Sequence, residues 1–253
     1  MTTGQKRLRF LMLLTIVLAA AGSAWMAAQP EGPLRFSEAE IFFELNDTDG
    51  DLGIHGSIDG EPWLDLEVEG PGDRTLLNIS SASRLRTQGM TQLSFESAEP
   101  SFDELEPADF FRRFPEGRYE IEGRAQEGGT IQGTSVLSHV MANRPEGVLV
   151  NGVPAAESCD DPPPVVLAPV AIRWDPVTQS HPEIGKKGPV KISRYQFFVE
   201  REGVKLSLDL PPTVTEFEIP RSITDLGRDF KFEIIARTST GNNTAIESCF
   251  VVQ

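Results

Sequence analysis

The stretch richest in potential chemistry is Asn46-Asp47-Thr48-Asp49-Gly50-Asp51-Leu52-Gly53. Its alternate carboxylates, Asp47, Asp49 and Asp51, are candidate ligands for Ca²⁺, a hard ion that takes about six to eight oxygens. An EF-hand does not fit: counted from Asp47, the glycine position falls on Leu52 and the closing glutamate position on Ile58. A hairpin turn built on Asp49-Gly50 accounts for the same residues and is the favoured reading. Calcium is the one ion this pattern suggests, and no other cofactor is implied. Catalytic patterns are missing: the chain holds no Gly-x-Ser-x-Gly, His-Glu-x-x-His or Ser-x-x-Lys. Its three histidines, His55, His139 and His181, are too dispersed to nominate a base. With 38 acidic residues, a chance carboxylate pair says nothing about glycoside hydrolysis. The expectation is a protein that is not an enzyme, with an unrecognised hydrolase as the remote alternative.

The other reactive side chains are Cys159 and Cys249. In an oxidising compartment an even pair within one predicted domain reads as a disulfide; two free thiols or an interchain bridge are the alternatives. Aromatic residues offer a different chemistry. Phe110, Phe111 and Phe114 follow a Ser101-x-x-Glu104 capping box and Pro107, which predicts a short helical insertion. Buried, these rings plug one end of a core; exposed, together with Trp63, they would form a platform for carbohydrate. Asn46, Asn78 and Asn242 begin Asn-x-Ser/Thr sequons. Lys186-Lys187-Gly188 is a basic cluster that could face an acidic partner, including a neighbouring copy.

The elements that must position these residues are strands. Period-two alternation between turn residues predicts them at 39–46, 52–59, 63–69, 74–80, 91–97, 118–125 and 130–139, with Asp59-Gly60 as a second turn. Seven short strands at this spacing imply an immunoglobulin-like sandwich over 29–143. Tyr119, at the start of the sixth strand, takes the place of the tyrosine that anchors the corner before it.

Ahead of this lies a leader. Lys6, Arg7 and Arg9 precede an apolar run and then Ala21-Gly22-Ser23, the layout of a signal peptide over 1–28; an uncleaved anchor fits the same residues. Either way the remainder is expected outside the cytoplasm: periplasmic, at the cell surface or secreted. The net charge is −15. Residues 29–143 carry most of the acid and no lysine. Such a surface repels nucleic acid and anionic lipid, so neither is an expected partner, and no membrane insertion is expected beyond the leader.

From about residue 144 the chain resembles a fibronectin type III domain. Val148-Leu149-Val150 would open strand A, and Ile172-Arg173-Trp174 looks like strand B with its buried Trp174. Tyr195, Phe197 and Val199 resemble strand C. Thr215, Phe217 and Ile219 resemble strand E, and Phe230, Phe232, Ile234 and Ala236 strand F. The family's corner tyrosine falls on Phe230, which has no hydroxyl. The proline-rich segment from Pro154 to Pro169 is a long A–B connection, and the family topology puts its Cys159 near the end of the last strand, where Cys249 lies. The whole chain is also similar to exported bacterial proteins that pair an acidic N-terminal domain with such a module. The resemblance implies an all-β chain of two sandwiches in tandem, 29–143 and 144–253. It also implies a non-catalytic binding or scaffold role toward a protein or glycan at the cell envelope, with a carbohydrate-binding module as the alternative.

Overall fold

The computed structural model of the protein describes residues 32–253. The leader expected over 1–28 lies outside the described residues. The alternating segments all form strands. In the N-terminal half these are β1 (Leu34–Arg35), β2 (Glu38–Asn46), β3 (Asp51–Gly70), β4 (Arg74–Ser80), β5 (Met90–Glu96), β6 (Gly117–Ala125), β7 (Thr130–Leu137) and β8 (Val140–Ala142), with helices α1 (Ser83–Gln88) and α2 (Pro107–Arg113).

β3 departs from the expectation of two strands joined at Asp59-Gly60. It runs unbroken for 20 residues and serves two sets of neighbours, β2 and β5 along its first part and β4 and β6 along its second. Gly60 makes no turn. It lies against Phe36, whose Cδ1 would be 2.9 Å from a Cβ at this position, so the absence of a side chain permits close packing. The other predicted turn does form: Asn46 Oδ1 accepts the backbone N–H groups of Thr48 and Asp49, and Gly50 adopts a positive φ of 67°.

The sheet curls until β7 meets β2. There Gly133 packs against Ala39, and Ser135 Oγ accepts the Ile41 N–H at 2.9 Å and donates to the Ile41 carbonyl at 3.2 Å. Ile41, Phe43 and Leu45 on β2 and Leu52, Ile54 and Ile58 on β3 point into the enclosed core with Trp63. Helix α2 closes one end of this core, with Phe111 edge-on to Phe43 at 5.0 Å between centroids. The capping box at Ser101–Glu104 does not start that helix. Those residues form a turn, and α2 begins at Pro107 behind Glu106 with no side-chain cap.

The C-terminal half holds β9 (Leu149–Val150), β10 (Val153–Pro154), β11 (Val165–Val166), β12 (Val170–Arg173), β13 (Ser180–Gly185), β14 (Ile192–Arg201), β15 (Val204–Leu210), β16 (Glu216–Ile219), β17 (Asp229–Thr238) and β18 (Asn243–Val252), with the single turn α3 (Arg221–Thr224). One layer runs β10-β9-β12-β16 and the other β18-β17-β14-β15. In letters this is A, B and E against G, F, C and C′, the strand order of a fibronectin type III sandwich. Trp174 is buried between the layers, stacked on Phe197 at 6.0 Å and edge-on to Tyr195 at 5.4 Å.

The outer edge of the last strand is paired at both of its ends. Its first residues pair in parallel with β2 (Asn243–Ala245 beside Glu44–Asn46), and its last pair in parallel with β11. Unpaired strand edges are templates for aggregation, and here one edge is covered from both ends. The proline-rich connection that supplies β11 is tied to β18 by the Cys159–Cys249 disulfide, with Cα atoms 5.0 Å apart.

Candidate functional site

The parallel pairing of β2 with β18 brings the two cores side by side, and polar side chains fill the seam. Asn242 sits at its centre, 1% exposed. Its Oδ1 accepts the Phe43 N–H at 3.0 Å, and its amide donates to the carbonyls of Ser138 at 2.7 Å and Val140 at 3.1 Å. Around it Thr244 Oγ1 donates to the Ala142 carbonyl, and Asn243 donates to Glu44 at 2.6 Å. Arg237 is buried, pairs with Glu40 and Asn243, and lies 4.4 Å over the Phe42 ring. Asn242 therefore offers no accessible amide for a glycan, sequon notwithstanding.

A second bridge comes from β13, which leaves the C-terminal half to pair with β8 and inserts Ile184 into the N-terminal core. This strand carries His181 to Asp47. His181 Nε2 meets Asp47 Oδ1 at 2.8 Å, while its Nδ1 accepts the backbone N–H groups of Glu183 and Ile184. With Nδ1 accepting from the backbone, Nε2 is the nitrogen turned to Asp47, and the ring is held in a fixed orientation. Arg144 binds the other oxygen of Asp47 at 3.2 Å. Burial alone would raise the Asp47 carboxyl, but His181 and Arg144 outweigh it and hold it below its ordinary value.

Between α2 and β13 the bridge leaves a concave cleft of about 1020 Å³, lined by Phe102, Glu106 and Phe111 on one wall and by His181, Glu183 and Lys186 on the other, with His139 also contributing. His139 Nε2 lies 2.8 Å from the Phe114 carbonyl, and its ring lies against Phe111 at 4.7 Å. Glu116 accepts the His139 backbone N–H at 2.6 Å and pairs with Lys186. These contacts overcome the upward effect of burial and lower the Glu116 pKa. The cleft thus presents aromatic edges and exposed charges, and its ring nitrogens at Nε2 are bound to the protein itself.

The predicted site residues are dispersed by this geometry. Asp47 faces His181 and Arg144, Asp49 accepts a bond from the Asn46 amide at 3.1 Å, and Asp51 lies in β3. Among the described residues, the group whose ligand atoms do converge is His55, Glu96 and Glu99 instead. Trp63, Phe110 and Phe111 are all buried, so the sugar platform that required them on the surface is absent; they are core. The basic cluster is also engaged internally: Lys187 donates to the carbonyls of His181 and Pro182, and Lys186 pairs with Glu116 of the acidic half. Tyr119 is buried, with its hydroxyl donating to the Pro115 carbonyl at 3.0 Å. Phe230 stacks on Phe250 at 5.2 Å, and a hydroxyl tie in this half comes from Tyr195, which accepts the Val177 N–H at 2.9 Å.

The seam also concentrates acid. Glu233 on β17 is pushed up to about 7, first by burial and then by Glu44 and Glu247. A raised carboxyl contributes stability below its unfolded pKa near 4.5, and that contribution is lost as pH rises through about 7. Glu233→Gln should therefore match the wild type near pH 4 and exceed it at pH 8 by about 3 kcal/mol. Urea unfolding at the two pH values measures this, and equal stabilities at pH 8 would refute it.

No protein-family model matches the chain, and no curated protein matches it. Among solved structures it is similar to a tetra-tandem repeat from the extending region of a large adhesion protein (11% identity, TM-score 0.28, covering 85% of this chain and 49% of that one). It is also similar to a two-domain fibronectin type III segment of chicken tenascin (12%, TM-score 0.27, 85% and 98%). A Ca²⁺-stabilised adhesin with which an Antarctic bacterium binds ice is a third (16%, TM-score 0.25, 88% and 49%). The chain spans about half the length of the first of these. At such scores the assignment rests on the chain's own strand order: an all-β protein whose C-terminal half is a fibronectin type III-like sandwich. Among the described residues, no helix is long and apolar enough to cross a membrane.

Proposed function

We propose that the chain is a non-catalytic binding or scaffold protein outside the cytoplasm. Its two β domains, 29–143 and 144–253, act as one rigid body and meet a protein or glycan partner at the junction cleft. The observation that carries the reading is the cleft's construction. Its walls come from both halves and are tied to one another by the His181–Asp47 and Lys186–Glu116 contacts, so recognition would not require the halves to be ordered on binding. Neither histidine forms a nucleophile–base pair: His181 spends both ring nitrogens on structure, and His139 is tied to Phe114. The disulfide supports an oxidising compartment.

The test uses the protein as bait against native envelope extract, comparing wild type with Glu106→Arg plus Glu183→Arg. Both residues are exposed, on opposite walls of the cleft. Captured partner should fall at least about tenfold with the melting temperature unchanged. Undiminished capture would place the contact elsewhere.

A further inference from the structure

We propose that His55, Glu96 and Glu99 form a binding site for a divalent transition ion of the Zn²⁺ type. One ring nitrogen of His55 and one carboxylate oxygen from each glutamate all lie within 4.8 Å of one another. Three elements build this convergence. The β3–β5 register sets His55 directly opposite Glu96, so both side chains rise from the same face. The chain then leaves β5 pinned by Ser97, whose N–H donates to the Ile54 carbonyl at 3.0 Å and whose Oγ accepts the Ile54 N–H at 3.1 Å. From there Glu99 folds back over β3 to bring Oε1 within 2.8 Å of His55 Nε2. Its path crosses Gly53, where any Cβ would lie 2.8 Å from Glu99 Cγ. The imidazole plane is set by stacking on Phe42, centroids 5.5 Å apart.

One imidazole nitrogen with two carboxylate oxygens is a donor set for Zn²⁺ and its first-row neighbours rather than for Ca²⁺, which prefers oxygen alone. Glu96 is exposed and His55 and Glu99 partly so, which leaves an entry path and room for water ligands.

A separate observation points to a cation here. Asp51 lies two residues before Gly53 on the same face of β3, and its Oδ1 is buried with no hydrogen-bond donor. Its carboxyl is pushed up to about 6 by burial and next by the charge of Glu99. A divalent ion on Glu99 would relieve that repulsion.

The experiment is calorimetric titration of the protein with ZnCl₂ alone at pH 7. The expected result is one site of micromolar affinity. His55→Ala and the surface variant Glu96→Gln should each weaken it by about 10–100-fold. Mn²⁺ should broaden the ring resonances of His55 and spare those of His139 and His181. No heat up to millimolar Zn²⁺, affinity unchanged in both variants, or broadening at His181 in place of His55 would each overturn the proposal.

Discussion

Asn242→Ala is expected to destabilise the protein by about 3–4 kcal/mol, since it leaves one buried donor and two carbonyls without partners at about 1–3 kcal/mol for each group orphaned. The wild-type amide satisfies Phe43, Ser138 and Val140 at once, and these lie on two strands and a connection of the N-terminal half. Water cannot readily replace it at a position 1% exposed. At about 2–4 °C per kcal/mol for a chain of this size, the melting temperature should drop by about 10 °C. Asn242→Asp should be nearly as harmful. It keeps an acceptor for the Phe43 N–H but sets a carboxylate oxygen against two carbonyls. A loss under 1 kcal/mol for the alanine variant would mean that the seam is not held at this point.

Removing the disulfide should have an effect of similar or greater size. Cys159 and Cys249 are 90 residues apart, and closing so long a loop restricts the unfolded chain by about 4–5 kcal/mol in the chain-entropy model. Folded-state consequences add to this. The bond holds the proline-rich connection along β18, where Val165 and Val166 pair with Val251 and Val252 and cover the strand's distal edge. The double variant Cys159→Ala plus Cys249→Ala should therefore lose stability in urea and also aggregate more readily on partial unfolding, because that edge is freed. An unchanged urea midpoint would contradict the first expectation. Unchanged light scattering at the onset of unfolding would contradict the second.

The strands could be read from the sequence because alternation is local. Ile41, Phe43 and Leu45, or Tyr195, Phe197 and Val199, declare one buried face without reference to any partner, and all six are buried. The turn at Asp49-Gly50 was equally readable, since only a few residue types suit it. Asp59-Gly60 has the same composition but a different role: close approach of Phe36 and a turn both call for glycine, and composition does not separate the two. The seam was hidden for another reason. Asn242 contacts residues about 100 and 199 positions away, so no window of sequence contains the pattern. One signal was nevertheless present. Ile234-Ile235-Ala236 and Ala245-Ile246 interrupt the alternation with apolar residues on both faces, which marks strands covered on both sides. Ile235 and Ala245 face away from the C-terminal core and are buried all the same. The helix α2 was anticipated from the capping box and Pro107; Pro107 does open it, but Ser101–Glu104 satisfied a capping pattern without capping anything, because the pattern specifies residue types and not the backbone that follows. The clustering of His55 with Glu96 and Glu99 required the β3–β5 register, which alternation alone does not supply.

Differential scanning calorimetry of the oxidised protein asks most directly whether the two cores behave as one body. Coupling through the β2–β18 ladder, Asn242 and the His181–Asp47 bridge predicts a single transition with calorimetric and van't Hoff enthalpies in a ratio near one. Two resolved transitions, or a ratio near two, would show that the halves unfold independently, and a rigid cleft between them could not then be the basis of recognition.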